Sequence, residues 1–182
     1  MKRITVSGAM LRQLFQPCQR KYIESVCQGR CCEKSNGGIL VVIHPSEQKR
    51  IKELGGEVKK GFLQAGLNRK CPFKTVGGLC NIHKEKPFGC KASPFTLNHK
   101  GMLIIRNRYR CLICYNTPNA EPAYISHRWS LGQIFGEEVA NTVATMAERG
   151  VNKIPAIMDM DKYNMLVEND RAKHNETGQN TR

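Results

Sequence analysis

The chain has 182 residues, with 29 Lys and Arg against 15 Asp and Glu and a formal charge of +14. That length suits one domain with tails, and aromatic residues at only 7% leave a modest core. No run approaches the ~20 apolar residues of a membrane span. The opening MKRITVSGAMLRQLF lacks the apolar stretch and cleavage site of a secretory signal, so a reducing cytoplasm is the expected compartment.

In chain order, residues 7–26 read as a helix broken at Pro17, with Tyr22, Ile23 and Val26 on one side of its second half. The cysteine string CQGRCC follows. Residues 39–43 form a short β-branched run that ends at His44 and Pro45, and residues 46–54 read as a helix stopped by Gly55 and Gly56. From Cys71 to Phe95 the chain is dense in Gly, Pro, Lys and Cys without a sustained period, the texture of loops that a metal organises. Residues 102–109 read as a strand, paired with the one near Val41, that leads to Cys111 and Cys114. After Pro118 the segment SLGQIFGEEVANTVATMAERG reads as a helix capped by Ser130 and ended by Gly150, and residues 159–171 as a weaker one. The polar residues 172–182 carry no apolar anchor and read as a disordered tail.

The expected organisation is an N-terminal helical segment (1–26), a cysteine-cluster domain (27–118), a C-terminal helical segment packed on it (119–171) and the tail. The fold class is α+β: a small metal-organised domain with short strands, irregular cysteine-bearing loops and flanking helices.

Nine cysteines dominate the chemistry. Cys27, Cys31, Cys32, Cys71, Cys80 and Cys90 stand in CQGRCC, CPF, GGLCNIH and KPFGCKASPF, and read as ligands of one site assembled from distant segments. Thiolates are soft anionic ligands that hold zinc or iron at about 2.3 Å, about four to a site. Cys111 and Cys114, in RCLIC, add a CxxC pair able to complete a second site. A disulfide framework is the competing reading. The odd count, the adjacency of Cys31 and Cys32 and the expected reducing compartment all argue against it. Metal coordination would then supply part of the folding free energy, on the order of 10 kcal/mol for a structural site.

The order CC, strand and polar helix, CPF, GxC, KPxxC and PF resembles the YkgJ-type family of zinc- or iron-chelating cysteine-cluster proteins, which includes flagellin lysine N-methylase. The resemblance covers about residues 27–95. It implies that Cys31, Cys32, Cys71, Cys80 and Cys90 are metal or cluster ligands. The family opens with CxxCxxCC, whereas here Cys27 stands one residue out of place and one early cysteine is missing, with Cys18 the substitute at hand. Lys86-Pro87 replaces the family's Arg-Pro, and Ser93 its aromatic. The methylase relatives imply a redox-active iron–sulfur cluster, which places iron or an iron–sulfur cluster ahead of zinc. Ligand softness does not separate the metals.

Two function classes follow. One is a redox or modification enzyme, methylase-like, acting on a protein or nucleic acid. The other is a zinc-stapled basic module that binds nucleic acid or an acidic protein, since the basic charge suits an acidic partner. His83 and His99 are candidate replacement ligands, although a histidine beside a ligand loop is more often a surface residue. Lys86, Lys91 and Arg110 are placed to offset thiolate charge or to hold an anionic substrate. Trp129 reads as a packing anchor. Glu33 and Glu85 read as exposed. No GxGxxG after a strand, GxxxxGK[ST], HEXXH or GxSxG occurs, so no dinucleotide, P-loop nucleotide, zincin or hydrolase chemistry is indicated.

Overall fold

The structure is a computed structural model that describes residues 1–33, 41–66, 69–110 and 113–167. It is α+β, with helices and strands in mixed sheets. The chain divides into two compact units, one built from Met1–Cys18 and Lys91–Val167, the other containing Gln19–Cys90. The described residues of the two units divide after Cys18 and after Cys90.

The first unit rests on a four-stranded sheet. Strands β1 (Lys2–Ser7), β2 (Phe95–Leu97), β3 (Met102–Ile105) and β4 (Lys153–Met158) lie in the order β2-β3-β1-β4. β1 runs parallel to β3, with Thr5 opposite Met102, and antiparallel to β4, with Ile4 opposite Ala156. In β4 Ile154, Ala156 and Met158 are buried while Lys153, Pro155 and Ile157 are exposed, the two-residue period of a half-buried strand. Helices α1 (Arg128–Phe135) and α2 (Glu137–Glu148) bring Leu131, Ile134, Ala140, Val143 and Ala147 into the same core.

Several expectations are corrected in this unit. Residues 7–26 are helical only in part: β1 precedes a single helical turn, Gly8–Leu11, capped by the Ser7 hydroxyl, Leu14–Phe15 is a short strand paired with Glu121–Pro122, and past Pro17 the expected helix is present as Arg20–Tyr22 and the π turn Ile23–Cys27. Ile4, Thr5 and Val6 are consecutive β-branched residues, and Ile4 and Val6 point to the core at strand period. The segment 130–150 is two helices, because Gly136 takes φ +84° between them; Ser130 lies inside α1 and its hydroxyl donates to the Ser93 carbonyl at 2.7 Å. The strand after Gly101 stops at Ile105 and pairs with β1 and β2, not with the segment near Val41. Trp129 is no buried anchor, since 48% of it is exposed. The last helix is present over 160–167; the remaining residues of that expectation and of the tail lie outside the described residues.

In the second unit the helix Pro45–Glu53 packs Ile51 against Val41, Ile43, Leu63, Phe73 and Ile82. Burial of side chains this size stabilises by roughly 1.5–3 kcal/mol each, so the cluster is small. Cys71, Cys80 and Cys90 pack on it half-buried. The expected helix begins one residue early, with His44 and Glu47 forming a capping box, and ends before Gly55 at φ +91°. Val41–Ile43 is extended and pairs with the Val58–Leu63 hairpin through Val42 and Phe62; Ile39 and Leu40 lie outside the described residues. From Cys71 to Cys90 the chain is mostly turns, as expected.

Candidate metal centre

The cysteine segments are drawn together by backbone pairing. A π-helical turn, Ile23–Cys27, ends at Gln28 and Gly29, both left-handed at φ +47° and +62°, and these lead into a 3-10 turn that carries Cys31 and Cys32. The Cys71 amide donates to the Cys32 carbonyl at 2.9 Å, and Glu33 bridges Lys70. Lys74 then bridges Cys80 across a turn in which Thr75 receives the amides of Gly78 and Leu79. Cys90 sits in the helical turn Phe88–Lys91, and the Phe88 amide donates to the Glu47 carboxylate at 2.8 Å. Glu47 also accepts from the His44 amide, so one carboxylate holds both the helix start and the last cysteine loop.

Five thiols share one electrostatic neighbourhood. Cys32 interacts with Cys31, Cys71 and Cys90, and Cys80 and Cys90 with the same group. The Cys31 and Cys32 sulfurs are 4.0 Å apart. Two thiolates on one tetrahedral zinc would be about 3.8 Å apart, given zinc–sulfur bonds of about 2.3 Å. The Cys32 thiol is pushed up by its hydrogen bond with Cys31 and by burial, and Cys71 and Cys80 by burial. Burial and neighbouring sulfurs push Cys90 up to about 12. Opposing this, the Phe73 amide donates to the Cys71 sulfur and the Ile82 amide to that of Cys80. An amide two residues along aimed at a sulfur favours the thiolate, the form a metal takes.

Basic groups act on the same thiols. Lys86 lowers Cys80 and Cys90, which agrees with a role in offsetting thiolate charge. Lys74, which sequence reasoning missed, has a side chain only 5% exposed, and its ammonium meets Glu33 at 2.5 Å. Glu33 is therefore an engaged residue, held below the ordinary carboxylate range by Lys74 first. No sequence signal marks Lys74, and Glu47 was missed as well, because His44 stands where the usual capping box has Ser or Thr.

The other sequence candidates divide between the two units. Cys27 is half-buried at the end of the π turn. Cys18 is exposed and belongs, with Cys114, to the first unit; the Cys114 thiol donates to the Tyr109 carbonyl at 4.0 Å. Cys111 lies outside the described residues. His83 is held below the ordinary imidazole value by partial burial and by Lys86, and His99 is exposed in the first unit. Lys91 and Arg110 are also in the first unit. Glu85 pairs with Arg50, donor to acceptor 2.6 Å.

Among the described residues no cysteine is in a disulfide, and no three His, Cys, Asp or Glu side chains close into a coordination shell. Neutral thiols at van der Waals separation gain nothing by closing further. Donor type, donor number and the amides aimed at Cys71 and Cys80 fit a thiolate-bound metal.

Fold and site define an α+β protein with one cysteine-rich unit. Compared with known proteins, the chain matches no family model, no curated protein and no solved structure. Among the described residues no helix is long and apolar enough to cross a membrane.

Proposed function

We propose that the Gln19–Cys90 unit is a metal centre in which Cys31, Cys32, Cys71, Cys80 and Cys90 supply the thiolates, as the YkgJ-type resemblance implies. The observation that carries this reading is the gathering of five thiols, none in a disulfide, from separate chain segments, two of them receiving amide hydrogens.

Iron, as an iron–sulfur cluster, is preferred over zinc, and would supply one-electron redox chemistry to a modification reaction on a protein or nucleic acid. The chain's own part is to hold the ligands and offset their charge. Glu47 and the Lys74–Glu33 pair fix the loops, and Lys86 stabilises thiolates at Cys80 and Cys90. Metal and acid-labile sulfide analysis of anaerobically purified protein tests the reading. Iron with sulfide and a brown chromophore supports the redox centre, stoichiometric zinc in colourless protein supports a closed structural site, and the absence of bound metal overturns both.

A further inference from the structure

The carboxylates of the cysteine-rich unit are all engaged. Among its described residues Glu24 pairs with Arg20, Glu33 with Lys74, Glu53 and Glu85 with Arg50, and Glu57 with Lys59, while Glu47 accepts two amides. Several exposed basic side chains of these described residues stand outside those ion pairs. Arg30, Arg69 and Lys70 are exposed and make no ion pair among the described residues. Arg30 and Lys70 belong to one patch, because the Glu33 amide donates to the Arg30 carbonyl at 3.1 Å and Glu33 is bridged to Lys70. Lys49 and Lys52 are likewise exposed. They stand three residues apart on the Pro45–Glu53 helix and share a flank away from the buried Ile51. Lys60 is exposed at the tip of the hairpin whose Gly61 carbonyl receives the Ile43 amide, just before that helix begins.

From this we infer that the unit has a nucleic-acid-binding surface that grips the phosphate backbone through these cations. The inference does not rest on the metal centre. Unbalanced positive charge on several elements suits a partner whose charges repeat along a chain, and Arg and Lys are the usual phosphate donors. An acidic protein would need an apolar anchor at the centre of its interface. On this unit the large hydrophobics exposed among the described residues are Val26 and Val76, with no aromatic among them. Among the described residues the unit's aromatics are half-buried, as Tyr22 and Phe62 are, or buried, which makes a poor stacking platform for unpaired bases and favours a duplex bound without regard to sequence.

The test is fluorescence anisotropy of a short labelled DNA duplex with the full chain, from about 50 to about 200 mM salt. Binding should weaken linearly in log–log form, and the K49Q/K52Q and R69Q/K70Q variants should each weaken it and lower the slope by about 0.9 for every phosphate that is no longer neutralised. Metal content and the far-ultraviolet circular dichroism spectrum are measured on the same samples, so that loss of fold or of metal is separated from loss of the surface. Duplex binding that is salt-independent or unchanged in both folded variants overturns the inference. So does tighter binding to poly-glutamate than to the duplex, which would assign the surface to an acidic protein.

Discussion

Gly29 and Gly78 meet backbone to backbone: a Cβ on Gly29 would lie 2.2 Å from the Gly78 carbonyl oxygen, and one on Gly78 would lie 2.4 Å from the Gln28 carbonyl carbon. Both residues have positive φ, at +62° and +80°. This contact seats the turn before Cys80 against the turn before Cys31. A side chain at either position must push the two cysteine segments apart and hold a left-handed conformation that L residues resist. Gly78→Ala should therefore cost about 2–3 kcal/mol. It should also lower bound metal per chain, which denaturant titration and elemental analysis would show; an alanine variant with parental stability and metal content contradicts the account.

Cys90→Ser and Cys31→Ser test the ligand set directly. Each should reduce metal stoichiometry and stability, because a serine hydroxyl is a poor substitute for a thiolate. Cys114→Ser, in the other unit, should leave the metal of the Gln19–Cys90 unit in place. Chelation of the parent protein should lower the unfolding midpoint, and re-addition of metal should restore it.

Glu47 joins two structures through one carboxylate. Glu47→Gln keeps one acceptor oxygen and should lose about 1 kcal/mol, while Glu47→Ala removes both bonds and should lose about 2 kcal/mol. The discriminating readout is local hydrogen exchange: the Phe88 amide should lose protection in the alanine variant more than amides of β1 do.

His127 predicts an acid sensitivity of the first unit. Its ring lies edge-on between Phe15 and Phe95, with centroids 5.9 and 6.3 Å away, and burial holds it down at about 4. The unfolded chain therefore binds the proton more readily than the folded one between about pH 6.5 and 4. Stability from this group is complete above about pH 6.5 and declines as pH falls, by up to about 1.4 kcal/mol per unit. His127→Phe should flatten that part of the profile. Parallel curves for parent and variant in thermal melts from pH 7 to 4 would contradict it.

Arg12 closes the far end of α2, with one guanidinium nitrogen donating to the carbonyls of Ala147 and Val151, both at 3.2 Å. The terminal carbonyls of a helix have no partner within it, and a cation there also answers the helix dipole. Arg12→Ala should cost about 1–2 kcal/mol, and Arg12→Lys less. Equal midpoints for the two variants would show that the forked geometry is irrelevant.

The sequence by itself determined the α+β class, the helix that runs from residue 46 to the Gly55 stop and the loop texture from Cys71 to Cys90. These are legible because helical period, glycine stops and turn residues act over a few residues. The N-terminal strand was also within reach, for Ile4, Thr5 and Val6 carry a strand signal that the apolar residues after Ser7 obscured. Only the tertiary structure decided that β1 pairs with β3 and β4, that Ser130 bonds Ser93 inside a helix, and that Lys74 is drawn in against Glu33. It alone also assigned Cys114 to the unit that holds the four-stranded sheet. The reason is range: strand partners and buried ion pairs are chosen by contacts between residues far apart in the chain, and no local pattern records which distant segment completes them.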